Sequence, residues 1–247
     1  MDANRRWGRI LLESLAVVAS ILLAFAIDAW WDQRAERSQR REVVAALLQQ
    51  AQQNQARLDS MVAYHEYARD ATEVLLEAAT GGAIPSDSMD VILYGISGWP
   101  YPAFDRVAVD LAFEGTAGLL GDDAIARSVT LWRRMLDQSQ EHEAALQHTI
   151  RDVLWPYLRQ HGSLPQIASA ESQMPGDPGY TSATPFRRGI DHTALLRENE
   201  FLGILQEEKW NHEDALYFYS NRLRPALDET IAVLTAELPA DHVAVAR

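Results

Sequence analysis

Seven histidines and a scatter of carboxylates are the side chains of this 247-residue chain with the widest chemical reach. Their spacing decides what chemistry is open to them. His142 and His148 frame the stretch HEAALQH, with Glu143 after the first. A zinc-protease helix needs its histidines four apart so that both rings share a face, and the fourth position here is Leu146. Ser97, Ser163 and Ser182 stand in SGW, GSL and YTS, none of them a G-x-S-x-G elbow. Gly115, Gly118 and Gly121 lack the Lys-Ser/Thr that completes a phosphate loop. There is no cysteine, which removes thiolate catalysis, thiolate zinc sites and disulfides. The expectation is a protein that is not an enzyme, with no metal and no cofactor. One constellation survives. His65, Glu143, Lys209 and His212 fall on or near otherwise apolar helical stripes. If their heights match, they form a buried polar cluster or a small-molecule site between helices.

The charge balance narrows the partners. The net charge is −13, and the first 31 residues are neutral, with Arg5, Arg6 and Arg9 set against Asp2, Glu13 and Asp28. The acidic excess therefore belongs to the body, which repels phosphate backbones, so no nucleic-acid partner is expected.

The elements that must carry these residues begin with RRWGRILLESLAVVASILLAFAIDAWWDQRAER. From Ile10 to Ala29 it is apolar or small apart from Glu13, Ser14, Ser20 and Asp28. Twenty residues at ~1.5 Å each reach ~30 Å, the hydrocarbon thickness of a bilayer. Trp7 at one end and Trp30–Trp31 at the other suit the two membrane–water interfaces. Ala24-Phe25-Ala26 matches a signal-cleavage pattern, but the helical pattern runs on past it through Trp31. The reading is a single-pass transmembrane helix over residues 10–31, preceded by a short cytoplasmic N-terminus over residues 1–9. Arg5, Arg6 and Arg9 next to the apolar run place that terminus inside and the body outside. The expected location is the cytoplasmic (inner) membrane with an extracytoplasmic, or periplasmic, body.

At 100° per residue Glu13, Ala16, Ser20 and Ala24 share one face, with Asp28 at its margin. Ala16, Ser20 and Ala24 make a small-xxx-small row that admits a second helix backbone, and the row points Glu13 at that partner rather than at lipid. Beyond membrane lipid, the expected partner is a second copy in a homo-oligomer or another membrane protein.

The body, residues 32–247, reads as all-α. No glycine or proline interrupts Arg9 to Thr80, and Val44, Leu47, Ala51, Leu58, Met61, Ala68, Leu75 and Ala79 follow a heptad-like spacing. Asn54, His65 and Thr72 interrupt that stripe. The transmembrane helix is thus expected to continue into a long stalk helix over about 32–80. Further long helices are expected over about 122–158 and 199–238. Pro156 should kink or end the first; the second is capped near Asp191 or Asn199 and kinked at Pro225. Residues 160–190, rich in proline and glycine, read as a loop. An elongated antiparallel helical bundle buries three such stripes.

Three stretches resemble an uncharacterised bacterial family of single-span membrane proteins whose extracytoplasmic part is a domain of unknown function. They are LLESLAVVASILLAFAIDAWWDQRAER, YPAFDRVAVDLAFEGTAGLLGDDAIARSVTLW and LLRENEFLGILQEEKW. The chain departs from that pattern with Phe-Glu-Gly where a serine-glycine pair is commoner. The resemblance implies a membrane anchor and a helical exported domain, and no activity.

These readings rank three roles. First is a non-enzymatic membrane-anchored scaffold that self-associates or pairs through its transmembrane helix. Second is an extracytoplasmic ligand sensor acting through a partner. Third is an accessory subunit of an ion-driven motor or transporter, with Glu13 carrying charge.

Overall fold

The structure is a computed structural model, and it describes residues 2–82, 84, 86–98, 104–114, 123–161 and 191–238, with side chains from Val18 onward except at 86, 87, 114 and 123. Helix α1 runs unbroken from Asp2 to Ala79, 78 residues or roughly 115 Å. It ends because Gly81 takes a φ of 126°, open to a residue without Cβ. The N–H groups of Gly81 and Gly82 then close onto the carbonyls of Ala78 and Glu77 at 3.2 and 3.4 Å. From Val18 to Gln39 every residue of α1 is exposed, and burial begins at Arg40. The bundle uses only the part of α1 beyond that point, burying the expected stripe of Val44, Leu47, Ala51, Leu58, Met61, Ala68 and Leu75.

Next come α2 (Ser86–Ser97), α3 (Val107–Glu114) and α4 (Asp123–His148). A π-helical turn, Thr149–Leu154, joins α4 to α5 (Trp155–Gln160). A 3-10 turn, His192–Arg197, leads into α6 (Asn199–Phe218), a second π-helical turn (Tyr219–Leu223) and α7 (Arg224–Glu237). The expected Asp191 cap sits on the 3-10 turn, its carboxylate accepting from the Thr193 N–H at 3.0 Å. Among the described residues there is no strand. The proposed loop at 160–190 lies outside them from residue 162 onward.

The contacts fix the directions. Arg40 pairs with Glu237 at 2.9 Å, Arg224 with Asp59 at 2.7 Å and Lys209 with Glu73 at 3.1 Å, so α6–α7 descends along α1. Thr230 bonds the Ser128 carbonyl at 3.1 Å and Tyr157 bonds Glu198 at 2.6 Å, so α6–α7 also descends along α4–α5. Helices α1 and α4 are therefore parallel to each other, and only the third member is antiparallel, a refinement of the antiparallel bundle expected above. Parallel neighbours need a return path, and residues 86–98 and 104–114 lie along it. Tyr64 donates to the Gly98 carbonyl, and lower down Asn54 and Gln50 hold residues 105–109 against α1.

Asn54 is the residue that secures the return. Its amide donates to the Asp105 carbonyl and accepts from the Asp105 N–H, both at 2.8 Å, and it is fully buried. Asn54→Ala strands both backbone groups, and a loss of about 2–4 kcal/mol is expected from two unsatisfied groups. A urea midpoint within error of the parent would show that water takes over both bonds.

Both prolines act differently from a kink or a stop. Each lacks an N–H, and its ring would strike the carbonyl four residues back. The helix widens ahead of it instead: the Trp155 N–H bonds the Ile150 carbonyl and the Arg224 N–H bonds the Tyr219 carbonyl, both five residues back. Pro156 and Pro225 follow immediately, and the rods continue.

The interior has two apolar parts. One joins Val44–Met61 of α1 to Ile125–Leu136 and to Ala215–Leu238. The other joins Ala71 and Leu75 to Leu93, Leu154, Leu195 and Phe201. Between them, at the height of His65, the core turns polar.

Candidate functional site

Each helix reaches this height on its core-facing stripe. On α1 the buried run Leu58, Met61, His65, Ala68 keeps the three-and-four spacing, and Glu143 lies between Leu136 and Leu146 on α4. On α6 Leu205, Glu208, His212 and Ala215 do the same, and Tyr219 opens the second π turn. Packing of the apolar neighbours leaves these polar groups no exit. His65, Glu208, His212 and Tyr219 are 0% exposed and Glu143 is 3% exposed.

The groups form a line. His65 Nδ1 and His212 Nδ1 face each other at 2.9 Å. On the far side of His65, Nε2 lies 3.4 Å from Glu143 Oε1, which also accepts from the Tyr219 hydroxyl. On the far side of His212, Nε2 lies 3.7 Å from Glu208 Oε2. The sequence is Tyr219–Glu143–His65–His212–Glu208, drawn from all three rods of the bundle.

Burial sets the charge states. The Glu208 carboxyl is pushed well above its ordinary range by loss of water and then by the Glu207 carboxylate, so it holds its proton. His212 is pushed down to about 3, by burial first and by His65 second, and stays neutral. The Tyr219 phenol is raised by burial and by the charge and hydrogen bond of Glu143, and the Tyr64 phenol by burial and then by Glu208 and Glu143. Both phenols are therefore donors. Neither Glu208 oxygen makes a hydrogen bond, nor do His65 Nε2, His212 Nε2 and Glu143 Oε2. Such orphans are few in native interiors, and each calls for a cause.

Among the described residues no three His, Asp or Glu side chains converge where a metal ion could sit. The two imidazoles turn their Nδ1 atoms on each other, so the outer Nε2–carboxylate gaps point in opposite directions. The arrangement fits passing a proton along a line.

Three of the four residues expected in a cluster, His65, Glu143 and His212, meet here. Lys209 does not: it turns outward to Glu73 at 3.1 Å and Glu213 at 3.9 Å. Its neighbour Glu208 takes the inward place. Sequence reasoning missed Glu208, Tyr219 and Tyr64. Positions 208 and 209 lie three and four residues after Leu205, so either fits the stripe, and Tyr219 counted there as an apolar member.

The N-terminal residues singled out above divide in two. Trp7, Glu13 and Ala16 belong to α1, but their side chains lie outside the described ones. Ser20, Ala24 and Asp28 are exposed on α1, with Trp30 and Trp31 edge to face at 5.0 Å and Arg34 over the Trp30 ring at 5.7 Å. Among the described residues no helix is long and apolar enough to cross a membrane, and the run from Ile10 lies outside the described side chains up to residue 17. No protein family, curated protein or solved structure matches this chain.

Proposed function

We propose that this protein is a non-enzymatic, membrane-tethered helical scaffold, self-associating or pairing through the first part of α1. One observation carries the reading. Val18, Ile21, Leu22, Leu23, Phe25, Ile27, Trp30 and Trp31 are 47–66% exposed, on a stretch of α1 in which every residue from Val18 to Gln39 is exposed. A helix segment this rich in exposed apolar side chains is stable only where something apolar surrounds it, and the tryptophans at its end suit a headgroup layer. The bilayer is the proposed surrounding, continuous with the apolar residues from Ile10. The three arginines near its start favour a cytoplasmic N-terminus in the inner membrane and an extracytoplasmic bundle, whose acidic charge suits water rather than anionic lipid. Within the anchor, Ser20 and Ala24 together with Ala16 and Glu13 make the proposed contact face.

Alkaline extraction of membranes is the direct test. The protein stays in the pellet if α1 is an anchor, and release into the supernatant defeats the reading. Association has its own measurement, the native mass in a mild detergent. Ser20→Leu and Ala24→Leu are each expected to lower the oligomer fraction several-fold, since packing of small residues contributes most of such an interface. An unchanged mass distribution rules out this face.

A sensor role is favoured by a second observation, the buried line of His65, His212, Glu143 and Glu208 with its unpartnered atoms. A signal from the bundle would pass to a partner along α1.

A further inference from the structure

The hydrogen positions that satisfy the buried line are few. Two imidazole nitrogens at 2.9 Å must share one hydrogen, because two lone pairs or two N–H groups repel. Glu208 holds its proton, neither of its oxygens is bonded, and Oε2 lies 3.7 Å from His212 Nε2. Glu143 already accepts from Tyr219 on the oxygen that faces His65 Nε2. One assignment meets all three conditions. Glu208 O–H points at His212 Nε2, His212 Nδ1–H donates to His65 Nδ1, and His65 Nε2–H points at the Glu143 carboxylate.

We propose that this line is a proton site, in which one proton is relayed between Glu208 and Glu143 through the two imidazoles. The Glu208 O–H bond breaks as a proton moves to His212 Nε2. The Nδ1 proton of His212 passes to His65 Nδ1, and the Nε2 proton of His65 forms the new O–H bond on Glu143. Both rings end neutral with their tautomers exchanged, and the negative charge has moved from α4 to α6. The outer gaps of 3.4 and 3.7 Å exceed hydrogen bonds, so the carboxylates close in for transfer, as groups in unoccupied sites commonly must. Tyr219 sets the resting position by donating to Glu143, and protonation of that carboxylate weakens the bond that ties the π turn to α4.

The titratable groups that face the line are Tyr64 on α1, Tyr219 on the π turn and Glu207 on α6, whose Oε1 is held by Thr149 at 3.2 Å. Tyr64 and Glu207 stand at the Glu208 end and Tyr219 at the Glu143 end. The inference does not depend on the membrane reading, and its test is independent of fractionation.

The experiment is nitrogen NMR of the full-length chain labelled at histidine, which reads tautomers directly. In the parent at neutral pH, His212 is expected as the Nδ1–H form and His65 as the Nε2–H form. Tyr219→Phe removes the donor that holds the charge on Glu143, and the dominant tautomer of both rings should reverse together. Adding Glu208→Gln to that variant restores the resting pair, because the amide still donates to His212 but has no proton to give. Unaltered far-UV circular dichroism certifies the fold of each variant. Like tautomers in the parent, a change at one ring only, or reversal that survives Glu208→Gln would each overturn the relay.

Discussion

Glu208→Met is expected to make the protein more stable at neutral pH, by about 1–3 kcal/mol, the cost of a buried polar group without a partner. Glu208 is 0% exposed and neither oxygen is bonded. Methionine has nearly the same length, no polar atom and enough flexibility to fill the same space. The apolar residues above and below the layer are ready neighbours for it. A lower urea midpoint in the variant would mean that Glu208 is bonded in solution and that its burial is compensated.

The pH profile separates the two buried titrations. Glu208 has its folded pKa raised, so its contribution is full below the ordinary value of 4.5 and is lost as pH rises through the folded value. His212 has its pKa lowered from 6.5 to about 3, so its contribution is full above 6.5 and is lost as pH falls through about 3. As pH rises past 4.5 the folded chain still carries its proton on the carboxyl while the unfolded chain carries one on the imidazole, so the two slopes oppose each other. Below 4.5 the His212 slope stands alone, and stability is expected to fall toward pH 3 with respect to this pair. In Glu208→Met the decline on the alkaline side should vanish while the acid limb remains.

The second large effect is all-or-none. A chain beginning at residue 32 is expected to leave the membrane fraction completely while keeping its thermal midpoint. No residue from Val18 to Gln39 is buried in the bundle, so removing most of that segment costs the fold nothing. Retention of the shortened chain on membranes would place the contact in the bundle instead. A midpoint lowered by several degrees would show that the exposed segment packs on the body.

Much of this fold is legible in the amino-acid order, for reasons particular residues make plain. The stripe from Val44 to Leu75 needs a partner on one side only, and a heptad-like spacing free of glycine and proline leaves the backbone one way to provide that face. The two proline sites were visible as disturbances, but not their outcome. A proline ring is relieved equally by a bend or by a wider turn, and packing on both sides of Pro225 selects the second. The short helix that opens near Ser86 and closes before Gly98 was readable from its cap and its glycine, but not its course along α1, because short segments carry little periodicity. The asparagine that holds Asp105 looked like a fault in a stripe. At the polar layer, His65 and His212 stood out by type, whereas the choice between Glu208 and Lys209 turned on a single residue of phase.

The unbroken course of α1 also fixes an orientation. With no break between its free segment and the bundle, the helix carries one angular register from end to end. At about 100° per residue, Ser20 and Leu47 differ by about 180° in azimuth, so the small-residue face looks away from the core. Two copies joined along Ser20 and Ala24 would stand back to back, their α1 shafts at the centre and the α4 and α6–α7 rods outward.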